Sequence, residues 1–515
     1  MDWFWKRITD KGIDRILGVY IAILLYFGWT NPAFAFFTAI FTVFKALTII
    51  QKVLLVVGVV AGFAAAKKAK KKRQQALERA LAGIGGVLVN KAGTTEPIPV
   101  VYGERVVGGV RTFIDNQNKS GSNKNDYLHL VLTMAEGPVE GIKEVYFNDE
   151  LVATSTDQTG HNDNSWTYEG SYGDKTLIYF RDGSQTSALS FSGIHPNFDS
   201  TMIGRDIAFL YVRLEFDDDL FGSGIPEIRC KIKGKKVPAI GSSQSSSLSW
   251  TDEPARVIYD YLTNTRYGKG IDYTLIDAAS FNTAATYNNE QVDTSSSDST
   301  QTTRYVLNGV IDTGRSVLDN TDDLMQACRA GLITGDTYKI FQDKPTTPQV
   351  TVIDDDYVVD SISFQQTSRR DMFNRIKGIF PNTADLNGKE DVALIESTTL
   401  QGSSYDGDVL ETQLELPHTT DKSMVERILN EELNSTRQSA SLQITVTIQL
   451  LNFTVGDVVK FSNGTLGQTE KLYRIAEQKI KSDFNIQLTL REYDNNVYWD
   501  NNKGIILDNF DDTDH

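Results

Sequence analysis

The chain has 515 residues and a formal net charge of −16, and this charge is divided unevenly along it. Residues 1–75 carry 12 basic and 3 acidic side chains, a net charge of +9, whereas the remainder carries 39 basic and 64 acidic side chains, a net charge of −25. A body this acidic excludes nucleic-acid binding through a general basic field. Two cysteines far apart, Cys230 and Cys328, exclude a disulfide framework and a paired-cysteine metal site, so we expect both to be buried.

The first predicted elements are apolar helices at the N-terminus. Residues 16–44 are uncharged, and Pro32 should divide this region into helices over 16–30 and 33–50. A third helix is predicted over 51–82, where the apolar residues are followed directly by a basic run. The candidate membrane or lumen-plug positions are Ile16, Leu25, Trp29, Phe36, Phe44, Leu54, Val60 and Phe63, and the basic anchor is Lys67, Lys68, Lys70, Lys71, Lys72 and Arg73.

Two interpretations of this arm remain open. A bilayer-spanning hairpin with the basic run at the membrane interface fits the pattern. A helical bundle inside a large assembly also fits, because a helix that is apolar all round needs burial either in lipid or in protein. A secretory signal is excluded, because the arm is too long and too repetitive for one.

Beyond Pro97 the pattern becomes that of β-strands. β-Branched residues mix with glycines, and the loops between the strands are polar. In the predicted hairpin, Val145 and Phe147 share a face and Asn148-Asp149 forms the turn. The predicted segments are strands over 98–114, 127–137, 176–183 and 207–216, a polar loop over 116–126 and a hairpin over 142–152.

The second half of the chain mixes helices with strands. Three segments have capped, amphipathic helical patterns, and the middle one should end at Gly331. Residues 441–450 are the clearest strand, because five apolar residues alternate with polar ones there. The predicted segments are helices over 251–262, 320–331 and 422–433, strands over 441–450 and 486–490, and a turn-then-strand over 453–461 that closes a small β-barrel.

A search for catalytic chemistry finds no zinc-protease, nucleophile-elbow or P-loop motif in the sequence. His129 lies in an apolar strand, where a hydrogen-bonded core histidine is the better interpretation. Acidic clusters at 217–219, 354–356 and 511–512 lack EF-hand spacing and fit solvated loops. These observations predict a binding or structural body, not an enzyme, and no metal or cofactor.

Seven segments follow one another in a fixed order: EPIPVVYGERVVGG, YLHLVLTMAEGPVEGIKEVYFNDELV, GRDIAFLYVRLEFDDDLFGSGIPEIRCKIKGKKV, DEPARVIYDYLTNTRYGKGID, RDMFNRIKGIFPN, VGDVVKF and LTLREYDNNVYW. Together they resemble the tail-tip hub family of long-tailed bacteriophages, the lambda-like tip attachment protein J and its relatives. The positions that carry this resemblance are Tyr102, Gly103, Gly137, Gly224, Pro226, Tyr261, Arg266, Tyr267, Gly268, Asn374, Gly456, Asp457 and Glu492.

The resemblance implies an α+β, mainly β protein, with tail-tube-like β-barrel hub domains and a mixed α/β insert behind the hydrophobic helical arm. The expected division is an arm over 1–94, a first hub β domain over 95–245, a mixed α/β domain over 246–350, a second hub β-barrel domain over 351–500 and an acidic tail over 501–515. Relatives form homotrimers whose ring adapts the hexameric tail tube and the distal tail protein to the threefold tip. The tape-measure protein closes the ring, and phage DNA later passes through it without specific binding.

The sequence departs from this family at two places. Many relatives continue after the LREYD region into a receptor-binding fibre, whereas this chain ends about twenty residues after that region, so we expect separate tail-fibre or receptor-binding proteins. The arm has no counterpart in the lambda-like hub. We expect it inside the virion tail tip and, during ejection, in the host membrane. The alternative function is a membrane-anchored cell-envelope glycan-binding protein or hydrolase.

Overall fold

The computed structural model describes residues 90–92, 96–122, 124–163, 165–222, 224–294, 300–366, 372–382, 390–438 and 440–500. Within these ranges the protein is mainly β, as predicted. The hydrophobic arm with its basic run, and the acidic tail, lie outside the described residues. The described chain has three parts, each with its own buried core.

The first part is a sandwich of two β-sheets. Its elements in chain order are β1 (Lys91–Ala92), β2 (Val100–Tyr102), β3 (Glu104–Gly108), β4 (Val110–Gln117), β5 (Tyr127–Glu136), β6 (Val139–Phe147), β7 (Glu150–Ser155), β8 (Trp166–Tyr168), β9 (Thr176–Arg181), β10 (Ile207–Glu215), α1 (Asp218–Phe221), β11 (Ile228–Val237) and β12 (Ser249–Trp250). One sheet has the order β1-β4-β5-β10-β9. The other has the order β12-β11-β6-β7-β8, with β3 also paired to β11. Cys230 is buried in the core between the sheets, as predicted.

Strand β5 is covered on both faces, and every residue from 129 to 136 is buried. Leu130, Leu132 and Met134 point into the core between the two sheets. Val131 points the other way and packs under the segment 182–206, which crosses the outer face of the sheet. A strand that is apolar on both faces needs two covering layers, and this segment supplies the second.

The predicted hairpin over 142–152 is confirmed as β6 and β7. Asn148 and Asp149 connect the strands with φ angles of 48° and 74°. Tight two-residue hairpin turns need this left-handed region, which Asn and Asp tolerate better than most residues. Val145 and Phe147 are both fully buried, so the predicted inward face is also confirmed.

The middle part combines helices with small sheets. Its elements are α2 (Pro254–Thr263), α3 (Ala278–Asn288), β13 (Gln291–Asp293), β14 (Gln301–Thr303), β15 (Gly309–Ile311), α4 (Val317–Gln326), β16 (Ala330–Thr334) and β17 (Tyr338–Gln342). Strand β15 pairs with β2, which connects this part to the start of the described chain. Helices α2 and α3 pack through Tyr259 and Phe281, whose ring centroids lie 5.8 Å apart. Cys328 is buried in this core, as predicted.

The last part contains two sheets and one long helix. Its elements are β18 (Val352–Ile353), β19 (Ser363–Gln366), β20 (Arg375–Pro381), β21 (Glu390–Glu396), β22 (Glu411–Glu415), α5 (Lys422–Ser435), β23 (Ala440–Val446), β24 (Val458–Asn463), β25 (Gln468–Ile480) and β26 (Ile486–Glu492). The sheet orders are β21-β20-β22 and β18-β24-β25-β26-β23-β19. Helix α5 packs on the smaller sheet, where Gly378 leaves room for Val425 and Leu429. Its buried face belongs to the core of the middle part.

The prediction of a closed β-barrel is wrong for the described residues. The six-stranded sheet begins at β18 and ends at β19, and these two edge strands do not pair with each other. Each is short, with two residues in β18 and four in β19. The sheet therefore wraps one side of its core, and the segment around Tyr357 and Val358 packs against that core as well.

The helix predicted over 320–331 is displaced. Helix α4 begins at Val317, because the hydroxyl of Ser316 caps it by accepting a hydrogen bond from the Asp319 amide. The chain turns at Arg329, whose φ is 51°, and Gly331 lies in strand β16. Gly331 is therefore not the helix stop.

The strand predicted over 441–450 is only partly correct. Strand β23 ends at Val446, and residues Ile448–Leu450 form a 3₁₀ turn. Beyond Val446 the apolar residues still alternate with polar ones in the sequence, but burial no longer follows this pattern. Leu450 is buried, whereas Ile448 is exposed. The predicted strand over 486–490 and the predicted helices over 251–262 and 422–433 are confirmed as β26, α2 and α5.

Candidate functional site

The most elaborate polar site in the described chain surrounds Asp260, which is fully buried in helix α2. One carboxylate oxygen, Oδ2, accepts hydrogen bonds from the hydroxyls of Tyr102 and Tyr267 at 2.6 and 2.7 Å. The other, Oδ1, accepts from Gln244 Nε2 at 3.0 Å. Strand β2, helix α2 and the turn after α2 are therefore joined at a single carboxylate.

Helix α2 places this carboxylate because its N-terminus is firmly fixed. The Glu253 side chain caps the helix by accepting from the amides of Ala255 and Arg256 at 2.8 and 2.7 Å. Pro254 occupies the first turn, where its missing N–H costs nothing. Residue 260 then falls on the buried face, beneath β2.

Burial raises the pKa of the Asp260 carboxyl, while hydrogen bonds from Tyr102, Tyr267 and Gln244 act in the opposite direction. The two tyrosines show the complementary effect. Burial and the neighbouring Asp260 raise the pKa of both hydroxyls, so the tyrosines keep their protons and remain donors. The arrangement suits a fixed structural junction, because both tyrosine hydroxyls and the Gln244 amide donate to one buried carboxylate.

Basic side chains connect the same junction to the sandwich. Lys235 of β11 is buried, donates to the carbonyl oxygen of Gly137, and lies 5.4 Å from the centre of the Tyr267 ring. Burial lowers the pKa of Lys235. Arg266 Nε lies 2.9 Å from Glu136 Oε1 at the end of β5. Two cations therefore contact the connection between β5 and β6.

The Arg-Tyr-Gly turn after α2 can form only with glycine at position 268. A Cβ at Gly268 would overlap the carbonyl oxygen of Tyr261 in the helix. Gly103 is similarly restricted, since its φ is 65° and a side chain there would meet Leu307 and Asn308. Both glycines allow the backbone to approach the helical part closely.

Seven of the predicted family positions meet at this junction: Tyr102, Gly103, Gly137, Tyr261, Arg266, Tyr267 and Gly268. Sequence reasoning missed the residues that connect them, namely Asp260, Gln244, Lys235 and Glu136. A signal for Asp260 was present, because it is a lone acid between aromatic residues in the apolar stretch RVIYDYL of a predicted helix.

The remaining predicted positions lie elsewhere. Gly224 and Pro226 belong to the loop before β11, where Gly224 has a φ of 113°. Asp457 closes the turn before β24 by accepting from the Thr454 amide at 2.9 Å. Glu492, at the end of β26, accepts from the Ala440 amide at 2.9 Å.

Asn374 forms a second buried junction in front of β20. Its amide nitrogen donates to Asp406 Oδ2 at 2.7 Å, and its oxygen accepts from the Leu410 amide at 3.0 Å. Arg437, just after α5, donates to both oxygens of Asp406 at 3.0 and 2.8 Å. These contacts fix the long connection between β21 and β22 to the end of α5.

A third junction surrounds Asp343 and connects the middle part to the six-stranded sheet. Arg329 Nη2 lies 2.6 Å from Asp343 Oδ2, and Arg474 of β25 pairs with Oδ1. The Tyr498 hydroxyl also donates to Oδ1, at 2.6 Å. Burial acts to raise the pKa of Asp343, but Arg329 and Arg474 outweigh burial and lower it below the usual value.

A family model and a curated relative both match this chain to phage tail proteins. The family described as "Putative phage tail protein" matches residues 316–477. The baseplate hub protein pb3 of Escherichia phage T5 is 22% identical over 463 aligned residues, which cover 78% of this chain and 48% of that protein. This chain therefore spans about half the length of that relative.

A solved structure has the same fold. A chain in the virion of the native gene transfer agent particle superimposes with a TM-score of 0.50 at 13% identity, covering 85% of this chain and 97% of that chain. The family and relative matches together support a structural role in a phage tail.

The range matched by the tail-protein family contains the second and third junctions. Asp406 with Arg437, and Asp343 with Arg329 and Arg474, all fall within residues 316–477. The Asp260 junction lies N-terminal to that range. Thus the part of the chain with the family match is also the part in which ion pairs fix α5 and the six-stranded sheet.

His129 is a buried core histidine, as the sequence predicted. Its Nδ1 lies 2.8 Å from the hydroxyl of Tyr211, which also accepts from the His195 amide at 3.0 Å. Burial, His195 and Arg213 lower the pKa of His129 to about 4, while Asp115 acts in the opposite direction. The described residues hold no cluster of three metal-ligating side chains.

The predicted membrane or lumen-plug positions and the basic anchor, Ile16 to Arg73, cannot be placed, because they lie outside the described residues. Across the residues that are described, no helix combines the length and the hydropathy needed to cross a bilayer.

Proposed function

We propose that this chain is the hub subunit of a bacteriophage tail tip and that its role is structural and not enzymatic. The observation that carries the proposal is the alignment with a baseplate hub protein over 78% of this chain. The fold shared with a virion protein is consistent with it.

The three junctions suit such a role. Each joins distant parts of the chain through charged or polar groups that are buried, at Asp260, or partly buried, at Asp406 and Asp343. Groups buried in this way tolerate little displacement, because leaving one unpaired costs about 1–3 kcal/mol or more for a charged group. A hub subunit needs this rigidity in order to hold a ring in register.

In the proposed assembly, three copies form a ring between the hexameric tail tube and the threefold tip. The ring contacts the distal tail protein, the tape-measure protein and separate tail-fibre or receptor-binding proteins. Phage DNA crosses the ring without specific binding, because the net charge of −25 outside residues 1–75 repels phosphate. The protein would therefore be located at the virion tail tip.

Two measurements test this function. Mass photometry of the full-length chain should give the mass of three 57.4-kDa chains, and reconstruction of the virion tail tip should place the sandwich and the six-stranded sheet in a threefold ring. A monomer in solution that is also absent from virions and present in host membranes would instead support the membrane-anchored alternative.

The arm is proposed to fill the lumen of the ring and to enter the host membrane during ejection. Deletion of residues 1–66 removes the first two predicted helices and the apolar part of the third, but keeps the basic run. We expect particles with this deletion to lose DNA delivery, and complementation by the full-length gene to restore it. If particles assemble and deliver DNA normally without these residues, the arm has neither role.

A further inference from the structure

A cleft of about 670 Å³ opens between the β16–β17 hairpin and the turn before β24. Helix α3 forms one wall with Thr283, and Ile333 and Val455 contribute apolar surface from opposite sides. Several threonines also line the cleft. The lining therefore suits a ligand with both apolar and hydrogen-bonding groups.

Two buried amide atoms in this lining have no partner among the described residues. Gln342 is 6% exposed, and its nitrogen donates to the Cys328 carbonyl, which leaves Oε1 as an unused acceptor. Gln478 presents the opposite group, an unused Nε2 donor. Leaving such atoms unpaired costs about 1–3 kcal/mol each. Both atoms are covered by protein, so an occupant with N–H and C=O groups, such as a polypeptide backbone, would pair with them only after the two side chains rotate.

The lining favours a peptide over a glycan. Sugar rings are bound by open aromatic faces, and the aromatic side chain of this cleft is Phe341. Its ring is in contact with Gly456, and the guanidinium of Arg474 lies 5.2 Å from its centre. Because Gly456 and Arg474 lie against this ring, its face is not free to stack on a sugar.

The chain itself leads to this cleft. Asp500 accepts from Arg304 Nη2 at 2.9 Å, and the Arg304 guanidinium lies 4.1 Å from the centre of the Tyr287 ring. Lys344, which lines the cleft, lies 5.3 Å from the same ring. Three successive side-chain contacts, through Arg304 and Tyr287, therefore connect Asp500 to Lys344. Residues 501–504 can span about 13 Å when extended, at roughly 3.3 Å per residue.

The sequence after Asp500 has the composition that the cleft requires. Residues 504–510 read GIILDNF, with three consecutive aliphatic residues followed by an acid. Aliphatic side chains match Ile333 and Val455, and the acid can pair with Lys339 or Lys344, in a lining that also contains Asp336 and Asp457.

We propose that residues 504–510 of this chain bind in the cleft as an extended segment, with backbone amides pairing to Gln342 and Gln478. The proposal goes beyond the hub function and does not depend on it. In this proposal the tail binds to the cleft of its own copy of the chain. It thereby connects the β16–β17 hairpin to the six-stranded sheet.

The experiment uses the full-length chain, a chain shortened to residues 1–503, and a synthetic peptide with the sequence of residues 501–515. Hydrogen exchange should show at least tenfold faster exchange in 330–342 after shortening. Adding the peptide should restore protection, and a scrambled peptide should not. The substitution Ile506→Asp in the full-length chain should reproduce the effect of shortening.

Two threonines of α3 give a matched pair of cleft variants. Thr283 and Thr286 are both exposed, and each hydroxyl donates to the carbonyl four residues earlier. Thr283 lines the cleft, whereas Thr286 is absent from its lining. In the shortened chain, Thr283→Trp should weaken peptide binding at least tenfold, and Thr286→Trp should change it less than twofold.

Three outcomes would overturn the proposal. The first is equal exchange in 330–342 with and without residues 504–515. The second is protection that falls on dilution of the full-length chain, which would assign the cleft to the tail of a second copy. The third is binding of an N-acetylglucosamine tetramer to the full-length chain that Thr283→Trp abolishes, which would assign the cleft to a glycan.

Discussion

Asp343 offers the sharpest test of what holds the middle part of the chain to the six-stranded sheet. Its carboxylate faces Arg329 and Arg474 and accepts from the Tyr498 hydroxyl. Replacing Asp343 with Asn keeps the shape but removes the charge between the two guanidinium groups. We expect this substitution to lower the free energy of unfolding substantially.

The structure sets the size of the effect. Removing one partner of a buried ion pair costs about 3–5 kcal/mol. Arg329 keeps Glu431 at 3.0 Å, Arg474 keeps the Lys344 carbonyl at 2.7 Å, and the Asp343 side chain is 28% exposed. The lower end, about 3 kcal/mol, is therefore expected. In a urea titration this corresponds to a midpoint lower by about 1 M.

The pH dependence of the effect follows from the lowered pKa of Asp343. A carboxyl with a depressed pKa in the folded state stabilises the fold above its unfolded pKa, near 3.9, and loses this contribution as the pH falls through the folded value. The difference in the free energy of unfolding between wild type and Asp343→Asn should therefore have its full size at pH 7 and be smaller at pH 3.

Asp336 provides the matched control, because it is an exposed acid in the turn of the same hairpin. Asp336→Asn should change the free energy of unfolding by less than about 0.5 kcal/mol. If Asp343→Asn has an effect equally small at pH 7, the ion pairs at this junction do not hold the two parts together and the reasoning is wrong.

Two further predictions concern buried hydrogen-bonding groups. Tyr267→Phe removes one donor from the carboxylate of Asp260 and should lower the free energy of unfolding by about 1–3 kcal/mol in urea. The control is Tyr273→Phe, at a partly exposed tyrosine, which should lower it by less than about 0.5 kcal/mol. The pKa of His129 is lowered to about 4, so the folded state keeps this side chain neutral. The free energy of unfolding should therefore fall as the pH is lowered from about 6.5 towards 4, by up to about 3 kcal/mol. His129→Gln should flatten this part of the stability–pH curve, and an unchanged slope would contradict the assignment.

Local patterns in the sequence predicted several elements correctly. The hairpin at 142–152 was predictable because Asn148-Asp149 fits the left-handed turn and the flanking residues alternate. Helix α2 was predictable because its cap, its proline and its apolar face agree. In both cases the information lies within about a dozen neighbouring residues.

Boundaries of elements, and features that depend on distant residues, were predicted poorly. The apolar alternation at 441–450 has the same spacing in the strand and in the 3₁₀ turn after Val446, so periodicity alone could not separate them. The start of α4 depended on the Ser316 cap, which lies outside the predicted segment. Closure of a barrel depends on whether β18 and β19 meet, and no local pattern encodes that.

At the candidate junctions, too, the sequence did not reveal contacts between residues that lie far apart in the chain. Tyr102 and Tyr267 were selected by their motifs, but the carboxylate between them belongs to a helix predicted only as an apolar surface. The contact between Tyr102 and Asp260 spans 158 positions of sequence. A single sequence carries no direct signal for such a pairing, so the motif residues could be named without their common partner.

The Asp260 and Asp343 junctions should act independently, although the middle part of the chain contributes to both. One joins α2 to β2 and the turn after α2, the other joins Arg329 to β25, and their described contacts share no residue. Substitutions without shared partners usually add to within about 0.5 kcal/mol. The double variant Tyr267→Phe/Asp343→Asn should therefore lose the sum of the two single effects in urea unfolding. A coupling energy above about 1 kcal/mol would mean that the helices between the junctions transmit strain, and that the three cores do not behave as separately fixed units.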